Sequence, residues 1–256
     1  MCRGWLTVFF KWYLGLKFAF SYFTLLPVSF GKEVDLTAKP VLASMLFFLP
    51  FIGMVLGILA VGLYGLLEPL GWYGAVISAL VYMMLYGFLH TEAVIDVADA
   101  LYASHSGKDA YSIIKEPTVG AMGVLWAIGF VLLKVSGIVF LLMHHLFTPL
   151  IAVLMVSRLA LLVLFYTQTF NSSFATQLKV ALTAKYFWSA FILFGVVGTL
   201  LISIHFIFLL LFGVTLALLT TGFIKSKLGF VNGDVLGSTL ESVEILLLIT
   251  VALLWH

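Results

Sequence analysis

Residues 121–143 read AMGVLWAIGFVLLKVSGIVFLLM, residues 144–147 read HHLF, and residues 148–166 read TPLIAVLMVSRLALLVLFY. Each of the two apolar runs is long enough to cross a hydrocarbon layer of about 30 Å, which takes roughly 20 residues of helix. Neither alternates with the period of two that marks a barrel strand. The stretch therefore indicates an all-α, polytopic transmembrane helical bundle. Each run also carries one cation, Lys134 or Arg158, and a charge at such a depth is costly unless it faces the bundle or a polar cavity.

The same reading along the chain gives about seven spans, at 41–67, 71–90, 121–143, 148–166, 187–204, 205–224 and 235–255. The break between the fifth and sixth rests on His205 and a few small residues. An earlier apolar stretch, Trp5 to Leu26, holds Lys11 and Lys17 and is followed by no small-residue cleavage site, which argues against a cleaved signal. On a helix, Thr7, Lys11, Lys17, Ser21 and Thr24 fall within about 140° of arc. That polar side favours a helix lying in the interface over an eighth span.

Composition agrees: 63% of the 256 residues are apolar and 9% are charged, so water is not the solvent for most of the surface. A net charge of +2, with no Lys/Arg-rich block, argues against nucleic-acid partners. The single cysteine, Cys2, excludes an intrachain disulfide and supplies no zinc pattern. With seven spans, Arg3, Lys11, Lys17, Lys32, Lys39, Lys108, Lys115, Lys179, Lys185, Lys225 and Lys227 all fall on one side. The positive-inside rule makes that side cytoplasmic. The expected organisation is one integral membrane domain, 1–256, with an N-terminal interfacial segment at 1–40 and cytoplasmic active-site segments at 91–120 and 225–234.

Three blocks carry chemistry. In HTEAVIDVADA, His90 to Ala100, the acids Glu92, Asp96 and Asp99 have i, i+4 and i, i+3 spacing and share one helix face within about 60°. Their mutual repulsion would be relieved by Mg²⁺, held by one or two carboxylates together with substrate phosphates; spacing alone fits a solvated helix end equally well. In KEPTVGAMG, Lys115 to Gly123, Lys115 can neutralise phosphate, and Gly120 and Gly123 would let backbone amides approach an anion. In GFVNGDVLGSTLESVE, Gly229 to Glu244, the acids Asp234, Glu241 and Glu244 share a face within about 80°. Two glutamates inside a span need pairing, protonation or a wet cavity, and Lys134 and Arg158 are candidate partners.

In this order the three blocks resemble the cobalamin synthase family, the adenosylcobinamide-GDP ribazoletransferases. The matching residues are His90, Glu92, Asp96 and Asp99; Lys115, Glu116, Gly120 and Gly123; then Gly233, Asp234, Gly237, Glu241 and Glu244. Weaker echoes are FTLLPV from Phe23, LPFIGMVLG from Leu49, and Ser157 with Arg158. Departures from the family pattern are Glu92 and Glu116 in place of aspartate, Ala93 and Ala100 in place of glycine, and Asn232 where threonine is common.

The resemblance implies transfer between adenosylcobinamide-GDP and α-ribazole or its 5′-phosphate. The ribose hydroxyl attacks the phosphorus on the corrinoid arm and GMP leaves. It assigns Glu92, Asp96 and Asp99 to Mg²⁺ and diphosphate, Asp234 to a further ligand or base, His90 to a base, and Lys115 to charge on the leaving GMP. Gly120, Gly123, Asn232 and Arg158 would line the substrate site, with Glu241 and Glu244 shaping it. Competing readings are another membrane phosphoalcohol transferase with a nucleotide-linked donor, and a cation- or proton-coupled transporter using the intramembrane charges. The bilayer is an expected partner, and self-association into a homo-oligomer is left open.

The charge distribution predicts that reporters fused after Ser104 and after Ser226 read as cytoplasmic, while one inserted between His144 and Phe147 does not. Opposite sidedness for the first two would overturn the span assignment.

Overall fold

A computed structural model describes residues 2–31, 34–105, 109–115 and 118–255, the side chains of residues 2–8, 105 and 115 lying outside the description. Helix makes up 84% of the structure and no strand occurs among the described residues, as the unbroken apolar runs require. The helices are α1 (Cys2–Phe23), α2 (Lys39–Phe47), α3 (Leu49–Leu67), α4 (Trp72–Leu85), α5 (Leu89–His105), α6 (Ala110–Lys115), α7 (Ala121–Met143), α8 (Phe147–Thr167), α9 (Ser173–Ala181), α10 (Ala184–Ile202), α11 (His205–Leu228) and α12 (Gly233–Leu254). Among the described residues six helices are long and apolar enough to cross a membrane: α3 with its following turn, α7, α8, α10, α11 and α12. The pair α4 and α5, counted as one broken span, makes seven.

Helix α8 is the central post, because it is apolar on every side and packs against α3, α10, α11 and α12. Lipid tails are as apolar as these side chains, so cohesion depends on close van der Waals packing at small residues. Gly57 of α3 sits where a Cβ would come within 3.1 Å of the Ile151 Cα, and Gly213 of α11 where one would come within 2.6 Å of Val156 Cγ1. Gly53, one turn before Gly57, lies against the Leu154 carbonyl in the same manner.

Two expected spans are broken. The run 41–67 divides at Phe48 into α2 and α3, since Pro50 has no N–H to continue the helix and its ring crowds the preceding turn. Helix α2 instead packs on α1 and α9, with the Ser44 hydroxyl donating to the Trp12 carbonyl at 3.1 Å. The run 71–90 ends at Leu85, where Gly87 (φ 65°) and Phe88 (φ 53°) take left-handed conformations. The chain turns by 78° into α5. The acids of that segment therefore belong to a separate helix laid along α7 and α12, rather than to the end of a straight span.

The break at His205 occurs where expected: α10 ends at Ile202, Ser203 takes φ 56°, and α11 starts at His205. Helix α9, between the fourth and fifth spans, is an element the apolar runs did not predict. Helix α1 is continuous, as its polar stripe suggests, and is not among the helices apolar enough to span.

Candidate active site

The site is built where α5 meets the first turns of α7 and α12. Asn232 caps α12: its side-chain oxygen accepts from the Val235 amide at 3.0 Å, while its Nδ2 donates to Asp234 Oδ2 at 2.7 Å. The Asp234 carboxylate is thus oriented in the first helical turn, where the helix dipole favours an anion. Asn232, expected to touch substrate, has both ends of its amide engaged in the loop. Gly237 allows α5 to approach α12, because a Cβ there would lie 2.7 Å from that of Ala93.

This contact brings two of the sequence blocks together. Asp96 lies within electrostatic reach of Asp234, Glu92 and Asp99, in decreasing order of effect, and Asp234 within reach of Glu92. Glu92 is exposed, whereas Asp96, Asp99 and Asp234 are half-buried. Asp99 has turned toward α7. Its Oδ2 accepts from the Gly120 amide at 2.6 Å and its Oδ1 from the Gly123 amide at 2.7 Å.

The amides expected to face a substrate anion therefore hold a carboxylate of the protein. A carboxylate at a helix N-terminus satisfies otherwise unpartnered N–H groups, as a phosphate would. The glycines are required sterically: a Cβ at Gly123 would lie 2.6 Å from Asp99 Oδ2 and 2.7 Å from the Ile95 carbonyl oxygen. The side chain of Lys115 and all of Glu116 lie outside the described residues.

Among the described residues no three of His, Cys, Asp and Glu converge into a ready-made metal cage. The available donors, Glu92, Asp96 and Asp234, are hard oxygens. They suit Mg²⁺, which commonly takes one or two carboxylates and completes its shell with water and phosphate.

A cavity of about 240 Å³ adjoins these acids. His90, Gly233, Asp234 and Gly237 form one wall, and residues of α1, α8 and α9 form the other. His90 is 7% exposed and its ring stacks on Tyr86 at 5.6 Å; its nitrogens make no hydrogen bond to a described residue. Tyr22 also lines the cavity, and its phenol is held above its ordinary pKa by burial and then by the negative charge of Asp234.

Arg158, Glu241 and Glu244 lie elsewhere. They join Lys134 in a buried network: Lys134 Nζ is 2.8 Å from Glu241 Oε2 and 2.6 Å from Glu244 Oε2, and Arg158 Nη1 pairs with Glu244 Oε1. Tyr86 donates to Glu241 at 2.8 Å, and Tyr82 and Ser157 donate to Glu244 at 2.9 and 3.1 Å. None of the three lines the cavity. Their partners are one another, and the network ties together α4, α7, α8 and α12.

The family model described as Cobalamin-5-phosphate synthase matches residues 15–252. The chain belongs to that family. It is similar to the adenosylcobinamide-GDP ribazoletransferase of Chlorobium chlorochromatii, at 32% identity over 94% of this chain and 96% of the relative. Proteins of the same name from Clostridium perfringens (27% identity, 91% and 94% covered) and Brevibacillus brevis (25%, 93% and 97%) also align along nearly their whole length. No solved structure matches the chain. The protein is accordingly a membrane transferase of cobalamin synthesis.

The motif residues were legible in the sequence, whereas several residues of the charge network and of the cavity were not. Tyr82 and Tyr86, one turn apart in an apolar span, carry the faint signal of two polar-tipped rings on one face. Tyr22, Phe165 and Phe174 come from three distant segments and meet only through the fold.

The clamp between Asp99 and the start of α7 predicts that Gly123→Ala lowers unfolding stability by about 1–3 kcal/mol, the usual cost of overpacking. Gly129→Ala, where nothing lies within 4 Å of an added Cβ, should be neutral or stabilising. Thermal unfolding of both variants in one detergent checks this; equal stability would remove the steric role of Gly123.

Proposed function

We propose that the protein joins adenosylcobinamide-GDP to α-ribazole or its 5′-phosphate at the cytoplasmic face of a prokaryotic inner membrane, giving adenosylcobalamin or its phosphate and GMP. The names of its relatives support the substrates, and the one-sided Lys and Arg distribution supports the orientation. The observation that carries the chemistry is the meeting of α5 with the first turn of α12. It sets Glu92, Asp96 and Asp234 near one another beside a cavity lined by the His90 imidazole, whose nitrogens have no hydrogen-bond partner among the described residues.

Phosphoryl transfer depends chiefly on positioning and on neutralising charge around the transferred group. Mg²⁺, held by Asp96 and Asp234 with Glu92 alongside, would supply that neutralisation across the donor diphosphate. Asp99 acts one step back, fixing the start of α7 and with it the segment that carries Lys115. By the motif it occupies, Lys115 offsets charge on the departing GMP. His90, on the cavity wall, takes up the proton of the acceptor ribose hydroxyl as it attacks the phosphorus on the corrinoid arm and GMP leaves, while Asp234 beside it would hold the metal.

Purified protein given adenosylcobinamide-GDP, α-ribazole and Mg²⁺ should release GMP and form the corrinoid product. Asp96→Asn should lower turnover by at least about a hundredfold, the order lost with a group that stabilises transition-state charge. Raising Mg²⁺ should restore part of it. Asp109→Asn should be mild, since among the described residues Asp109 caps α6 through the Tyr111 and Ser112 amides, and asparagine is as good a cap. Nucleotide release from a CDP-alcohol but not from adenosylcobinamide-GDP would overturn the reading, and an undiminished Asp96→Asn at sub-millimolar Mg²⁺ would remove the acid face from it.

A further inference from the structure

The cavity beside His90 has two unlike walls. On the α5 and α12 side His90 and Asp234 stand among small and aliphatic residues; on the other are the rings of Tyr22, Phe23, Phe165 and Phe174. Tyr22 and Phe174 lie 5.4 Å apart with their planes tilted by 38°, joining α1 to α9 along this wall. The loop before α9 is tied to the loop before α12 by the Asn171 amide, which donates to the Val231 carbonyl at 2.8 Å. The aromatic wall is therefore held in register with Asp234.

The His90 ring is 7% exposed and lines this cavity; its nitrogens have no hydrogen-bond partner among the described residues and are not sealed from the cavity, so a ligand atom entering it is their natural partner. About 240 Å³ is below the roughly 300–1,000 Å³ of sites that enclose whole drug-sized ligands. One small ring system fits and a corrin macrocycle does not. A guanine placed against the aromatic wall would bury several amide and amino groups without partners, at about 1–3 kcal/mol each. A benzimidazole has a single free ring nitrogen and stacks on aromatic faces with little polar loss.

We propose that this cavity is the acceptor subsite, taking the bicyclic, weakly polar base of the nucleoside against the aromatic wall with its ribose at His90 and Asp234. The inference rests on the acceptor assigned above. It places the sugar hydroxyl beside the acids of α5 and α12, and it leaves the donor's guanine and corrin outside the cavity. Helices α1 and α9, which lie apart from the acid cluster, thereby become the elements that select the lower base.

The test uses the full-length protein in detergent or nanodiscs. Ala175, 5% exposed on the aromatic wall, is replaced in Ala175→Leu to fill the cavity, and Phe174→Ala removes a ring without adding bulk. Calorimetry with α-ribazole alone, and with GMP as comparator, reads binding without turnover; steady-state kinetics reads KM for each substrate. Both variants should weaken α-ribazole binding and raise the acceptor KM at least about tenfold, leaving GMP binding and the donor KM within about twofold. A rise confined to the donor KM, or an unchanged acceptor KM in Phe174→Ala and in folded Ala175→Leu, overturns the assignment while leaving the reaction intact. Binding of α-ribazole that both variants abolish, in a protein that releases no GMP from adenosylcobinamide-GDP, supports the subsite and sinks the reaction instead.

Discussion

Two cations and two carboxylates, sealed between α4, α7, α8 and α12, set the arrangement on which the rest of the protein depends. Lys134 and Arg158 neutralise Glu241 and Glu244, and the hydroxyls of Tyr82, Tyr86 and Ser157 complete the hydrogen bonding. No buried side-chain nitrogen or oxygen among the described residues is left without a partner. Such a cluster need not add net stability, because desolvation of the ions offsets much of their attraction. Its effect is selective: a rotation or slide of any one helix would strand a charge in an apolar interior. The register of α12 against α7 and α8 is thereby fixed.

That register is what the candidate chemistry uses. Glu241 and Glu244 lie two and three turns below Asp234 on the same helix, so fixing them fixes the height and azimuth of Asp234. Helix α5 then lies on α12 through the Ala93 and Gly237 contact, and its far side is fastened to α7 by the Asp99 carboxylate on the Gly120 and Gly123 amides. The acids of two distant blocks meet because these glycine contacts and the ionic network hold α5, α7 and α12 together. The aromatic cavity wall from α1, α8 and α9 closes the remaining side.

Much of this was legible in the sequence because membrane helices are written in long apolar runs, and because a charge inside such a run must have a reason. Lys134 and Arg158 pointed to the intramembrane glutamates with which they pair, and the spacing of Glu92 and Asp96 pointed to the face of α5 that lies near Asp234. The breaks at Phe48 and at Gly87–Phe88 were not legible, since apolar composition reports length and not direction; one proline and one pair of left-handed residues turned two spans into four helices. The pairing of Asp99 with the Gly120 and Gly123 amides was not legible for a related reason. An anion-binding helix start looks the same in sequence whether the anion comes from a substrate or from a neighbouring helix.

The account stands on the charge network being scaffold. The most direct measurement is a double-mutant cycle on unfolding stability in detergent, using Glu244→Gln, Arg158→Gln and the pair together, with turnover followed in the same preparations. Each single change should cost about 3–5 kcal/mol by stranding a buried charge, and the pair should recover part of that loss together with the substrate KM values of the parent. Unchanged stability in Glu244→Gln, accompanied by lost turnover, would contradict the account and move this carboxylate from the scaffold to the substrate.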